Sequence, residues 1–133
     1  MVSRGAMLAD FLQRGATQPF DWGARNCGLW VCDWIALVRG IDPAADLRGR
    51  FKTATGLGRH IARLGGIETF ARGIAGRAEL VETKTPVLGD AGLIEVPLST
   101  QAMAIADGHG NWLAKTMRGI VQEQHRMIVG WTV

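Results

Sequence analysis

The chain predicts an α+β fold, with N-terminal helices, including a buried central helix over about 26–39, packed on a C-terminal antiparallel sheet of five or six strands. Three observations lead there. The segment Cys27 to Arg39 is apolar on nearly every side, through Leu29, Trp30, Val31, Cys32, Trp34, Ile35, Ala36, Leu37 and Val38, which is the pattern of a helix buried all round. Before about Ala78 apolar residues recur at helical spacing, and after it they fall in short runs separated by Gly, Pro and Asp. The 133 residues, 47% hydrophobic and 20% charged, provide for one core and not for two ordinary ones, so a single domain over 1–133 is expected.

The first helix is expected from Arg4 to Arg14, with Met7, Leu8, Phe11 and Leu12 on one face, Gly15 as its stop and Thr17-Gln18-Pro19 as connector. The central helix takes Asn26 as N-cap, places Arg39 in its last turn and ends at Gly40. Asp42 as N-cap and Pro43 at the first helical position predict a short helix towards Phe51. Thr53 to Leu64 is helical but weakened by Gly56 and Gly58, Gly65-Gly66 closes it, and Ile67 to Gly73 adds a turn or two. Strands are expected at Leu80–Thr83, Ala91–Val96, Ala102–Ala106, Trp112–Thr116, Gly119–Gln122 and Met127–Trp131, with Asp107 to Asn111 as a hairpin turn.

Composition removes several classes of function. No run of about 18 apolar residues is uninterrupted, so no membrane span is expected. The N-terminus turns amphipathic and acidic after Arg4 instead of forming a signal-peptide core, which predicts synthesis in the cytoplasm. Cys27 and Cys32 point to different sides of one helix, which argues against a disulfide between them. His60, His109 and His125 show none of the tight pairings of zinc sites, and no metal or cofactor is expected. The net charge is +3 and the basic residues are scattered, so a nucleic-acid partner is not expected.

The stretch Phe20-Asp21-Trp22-Gly23-Ala24-Arg25-Asn26-Cys27 carries the chemistry. A cysteine in the first turn of a helix meets aligned N–H groups and the positive end of the helix dipole, which favours thiolate, and Arg25 adds to this. Nucleophilic catalysis also needs a base, and without one the same cysteine is plain core. Asp21, Trp22 and Arg25 form either the rim of a groove or a local cluster, with Trp22 packed on the helix start and Arg25 paired with Asp21. Arg48-Gly49-Arg50 is either a binding turn or a helix exit.

A cysteine opening a buried helix, then a Gly-Asp strand (Leu88 to Ile94), then a small-residue strand, Gly hairpin and return strand (Gln101 to Thr116), resembles the NlpC-type branch of papain-like cysteine peptidases. Residues Pro19 to Gly23, Asn26-Cys27, Asp42-Pro43-Ala44 and Leu47 to Phe51 resemble more closely a small phage and prophage family in that neighbourhood. The resemblance covers about residues 5 to 133 and implies a papain-like fold with Cys27 as nucleophile. It also implies a histidine opening the strand after the Gly-Asp strand, where this chain has Gln101 and Ala102. An orienting polar residue would lie near Ala114 or Lys115, and His125 is the first alternative base. The expectation is therefore a phage or prophage tail-tip structural protein with a degenerate peptidase-like domain, located in the virion tail and contacting tail-tip or hub proteins. The alternative is an active cysteine hydrolase acting on cell-wall peptide. Under either reading Asp21, Trp22, Arg25, Asn26, Arg48 and Arg50 are the candidate binding residues.

Overall fold

The computed structural model describes residues 2–21, 26–97 and 100–133. Trp22 and Arg25 lie outside the described residues. The elements are α1 (Arg4–Thr17), α2 (Cys27–Arg39), α3 (Ala54–Arg63), α4 (Ile67–Arg77), β1 (Val81–Thr83), β2 (Ala91–Val96), β3 (Thr100–Ala106), β4 (Trp112–Thr116), β5 (Gly119–Glu123) and β6 (Met127–Thr132). The strands form one sheet in the order β1-β6-β2-β3-β4-β5, and every neighbouring pair is antiparallel. Placing β6 between β1 and β2 puts the last strand in the interior of the sheet, an order the local sequence does not encode.

The central helix is built as its caps dictate. Asn26 Oδ1 accepts the Leu29 N–H at 2.9 Å, and Gly40 adopts φ 73°, the left-handed conformation that ends a helix with little strain when no Cβ is present. Its side chains Trp30, Val31, Trp34 and Ile35 are buried in one cluster with Leu93, Met103, Ile105, Leu113 and Trp131 of the sheet. Trp34 also donates its Nε1–H to Gly89 O at 2.7 Å, which satisfies the indole in the core and ties α2 to the turn before β2.

Several boundaries depart from expectation. α1 does not stop at Gly15 but runs to Thr17. Gly15 is instead a packing residue, since a Cβ there would lie 2.8 Å from Trp30 Nε1. The helix ends where the Gln18 N–H returns to Gly15 O, just before Pro19, which has no N–H to continue the ladder. Residues 43–50 form successive turns, not the short helix expected after Asp42. Asp42 Oδ1 does accept the Ala44 N–H at 3.0 Å, as an N-cap would, but both its carboxylate oxygens also hold Arg48, at 2.8 and 3.1 Å. Arg48 reaches Asp33 on α2 at 2.7 Å, so this ion cluster and Gly49 at φ 77° bend the segment against α2. α4 extends to Arg77, longer than the turn or two expected, because Phe70, Ala71, Ile74 and Ala75 bury a continuous stripe. His60 is half-buried between Phe51 and Phe70, with ring centroids at 4.9 and 6.4 Å.

The sheet carries a second buried cluster made of strand residues alone: Ile94, Ala104, Ala106, Trp112 and Ala114. Its geometry follows from one large side chain among small ones. A Cβ on Gly92 would lie 2.5 Å from Trp112 Cη2, so the indole reaches from β4 past the alanines of β3 to β2. Glycine at 92 and alanine at 104 and 106 are what make that reach possible.

Candidate functional site

Pairing between β3 and β4 is confined to the hairpin end, at Ile105↔Leu113 and Ala106↔Trp112. Beyond it the two strands part. A cavity of about 540 Å³ lies there, walled by Phe20, Ile94, Val96, Ala102, Trp112, Ala114 and Val121. Cys27 and Lys115 also line it, as do Glu123, His125, Met117 and Arg118. The size falls within the usual range of small-ligand sites, roughly 300–1,000 Å³.

Cys27 is half-buried at the first position of α2 and is held by backbone. The N–H groups of Gly28 and Met103 are directed at its sulfur, the second from β3 on the side where β4 has left the ladder. Both groups favour thiolate. They are outweighed by the cost of stripping water from a charged sulfur, and burial pushes the Cys27 thiol above its ordinary pKa. The expected bias towards thiolate is therefore reversed. Cys32, five residues on and fully buried, is pushed up to about 12 by the same desolvation, and both cysteines are free.

The residues named from sequence divide between this cavity and other places. Cys27, Ala102, Lys115 and His125 share its wall. Gln101 does not: it pairs in register with Glu95 and lines a shallower depression with Val96, Pro97, Gln124, His125 and Arg126. His125 borders both spaces, half-buried, with Nε2 3.1 Å from Glu123 Oε2. His109 lies in the hairpin turn, where its N–H donates to Asp107 Oδ1 at 2.7 Å. Asn26 is buried and spent on capping α2, and Asp21 is exposed. Arg48 is committed to Asp33 and Asp42, which makes it an internal clamp; Arg50 is exposed beyond it.

Two groups have a larger part than sequence reasoning assigned. Lys115 is only 2% exposed and donates from Nζ to Gly15 O and Gln18 O, each at 2.7 Å, so a buried ammonium closes the carbonyl end of α1. Its place on a strand between Ala114 and Thr116 signals neither burial nor a helix-capping role. Asp90 of the Gly-Asp strand is equally structural. It accepts the N–H groups of Val87 and Val133 at 2.9 and 3.1 Å and lies 3.5 Å from Arg4, fastening α1, β2 and β6 together.

Among the described residues no cluster of three or more His, Cys, Asp and Glu is placed to hold a metal ion. No helix among them is long and apolar enough to cross a membrane. No curated protein matches the chain. The family described as a domain of unknown function (DUF6950) matches residues 3–133, and the chain belongs to that family.

Proposed function

We propose that this is a structural protein of a phage or prophage tail tip, built on a papain-like domain that has lost hydrolysis and serves for contact with neighbouring tail-tip or hub proteins. The observation that carries this reading is the surroundings of Cys27. Its thiol is held neutral by burial, and the strand beside it offers the methyl of Ala102 to the cavity where a base is required. General-base assistance is worth about 10²–10⁴-fold, so a neutral thiol without it has little hydrolytic power. The buried polar groups nearby serve the fold: Asn26 caps α2 and Lys115 closes α1. The test has two parts. Purified protein incubated with cell-wall peptide fragments should release no product, and particles assembled without the protein should show defective tails. Intact tails on such particles would end the structural reading.

A second reading has its own observation. Cys27, His125 and Glu123 line one cavity, and His125 is 3.1 Å from the Glu123 carboxylate, which is how a third group orients a catalytic imidazole. An active cysteine hydrolase using this trio on cell-wall peptide would lose product release in both Cys27→Ala and His125→Ala. Release that survives either substitution rejects it.

A further inference from the structure

The two edges of the sheet are finished differently. At one edge β1 is only three residues long, its Glu82 is held by Arg72, and Lys84 and Pro86 follow directly, all features that discourage pairing with another chain. At the other edge β5 runs for five residues, Gly119–Glu123, in unbroken register with β4 and with neither Pro nor Lys. Its backbone is only half used. Ala106 of β3 spends its N–H and C=O on the β2 side, so Ile105 exchanges with Leu113, and the alternate β4 residues Trp112, Ala114 and Thr116 pair with Glu123, Val121 and Gly119. The N–H and C=O groups of Ile120 and Gln122 therefore point outward from the edge, and no backbone hydrogen bond among the described residues uses them.

We propose that β5 pairs antiparallel with β5 of a second copy of this chain, about a two-fold axis at Val121, joining two sheets into one. The strand is self-complementary in that register. With Val121 opposite Val121 of the second copy, Ile120 falls opposite Gln122 and Gln122 opposite Ile120, so the outward N–H and C=O groups of both strands find partners. The side chains match as well. Val121, Arg118 and Glu123 all line the cavity, so they share one face of the sheet, and valine meets valine at the axis. Glu123 of the second copy falls opposite Gly119, whose missing side chain leaves that place to the neighbouring Arg118. Arg118 makes no salt bridge among the described residues, and the Glu123 side chain is 61% exposed with one oxygen turned to His125. The axis repeats this cation–carboxylate match on both sides. Charge complementarity thus favours a second copy over an unrelated strand, since a copy carries Glu123 where Arg118 needs it. The inference goes beyond the tail-tip reading and does not depend on it.

Sedimentation equilibrium of the purified chain at neutral pH and low salt should show a reversible monomer–dimer equilibrium. Arg118→Glu and Glu123→Arg should each weaken it by about tenfold, and the two changes combined should restore it, because the swapped charges meet again across the axis. Gln122→Pro removes an outward N–H without touching the bonds to β4, and should abolish the dimer while the melting temperature shows that the fold persists. Register is read by cross-linking. Facing residues of a non-hydrogen-bonded pair lie about 4.5 Å apart between Cα atoms, within disulfide reach, so Val121→Cys should oxidise to a covalent dimer. Gln122→Cys, which faces Ile120 and not its own copy, should give far less, and the parent chain, with Cys27 and Cys32 alone, none. A chain that stays monomeric at every concentration overturns the proposal. So does a dimer that the charge swap fails to restore, or one that survives Gln122→Pro. Equal cross-linking at 121 and 122 overturns the register.

Discussion

On the face of the sheet that carries α2, Leu93, Met103, Ile105, Leu113 and Trp131 join Trp30, Trp34 and Ile35 in one cluster, large side chains against large side chains. On the other face Gly92, Ala104, Ala106 and Ala114 leave most of the covering to Trp112. The same strands supply both faces, because successive side chains alternate. The first face holds the molecule together through filled volume. The second gives up volume, and where β4 leaves β3 the missing volume becomes a cavity. Filled core and open cavity are thus assigned to opposite sides of one sheet.

The comparison is most easily broken from the helix side. Trp34→Ala removes a fully buried indole, its contact with Phe11 at 5.4 Å between centroids and its bond to Gly89 O, and should cost about 3–5 kcal/mol in urea unfolding. A loss below about 1 kcal/mol would show that α2 is not the organising element. On the other face the effect should come from excess volume. Gly92→Ala forces Trp112 to move and should cost about 1–3 kcal/mol. Combining it with Trp112→Leu should cost less than the two single changes added, and strict additivity would mean that the indole does not lie over Gly92.

Electrostatic contributions are smaller and lie behind α2. Hydrogen bonds from Arg48 hold the Asp42 carboxyl below the usual carboxylate range. With the folded pKa depressed, this contribution is complete above the unfolded value of about 3.9 and disappears as pH falls through the lower folded value. Asp42→Asn should flatten the acid limb of the stability–pH curve and change stability at neutral pH by no more than about 1 kcal/mol. An acid limb identical to that of the parent would show that the clamp contributes nothing.

The least effect on stability and the sharpest on chemistry concerns the cysteines. Both thiols are raised, so the folded state keeps its full advantage below the unfolded thiol pKa of about 8.5 and loses it as pH rises towards the folded values. At neutral pH both should alkylate more slowly than a free thiol, with Cys27, on the cavity wall, ahead of Cys32 in the core. An alkylation rate for Cys27 above that of a free thiol at pH 7 would mean that the helix start outweighs desolvation.

The helix and strand segments were largely legible because each is marked locally. Asn26 and Gly40 bracket α2 by capping chemistry, Thr53 opens α3, and Asp107 to Asn111 turns the β3–β4 hairpin. Where reading failed, a distant partner had the stronger claim. Gly15 is glycine for Trp30 and not for a helix stop, and Asp42 answers to Arg48 as much as to its own turn. Of the candidate site, Cys27 and its place at a helix start were visible. That His125 and Ala102 border the cavity of Cys27 while Gln101 faces another depression depends on where two strands separate, which no local pattern encodes.

By itself the sequence determined the order of helices before strands, the caps and turns that delimit most of them, and the apolar helix that becomes the core. These follow from short-range rules linking side chain to backbone. Only the tertiary structure decided that β6 enters between β1 and β2, that Lys115 closes α1 from about a hundred residues away, and that burial outweighs the backbone N–H groups directed at Cys27. The reason is physical: desolvation and close packing depend on what surrounds a group in space, and the chain supplies those surroundings from residues far apart in sequence.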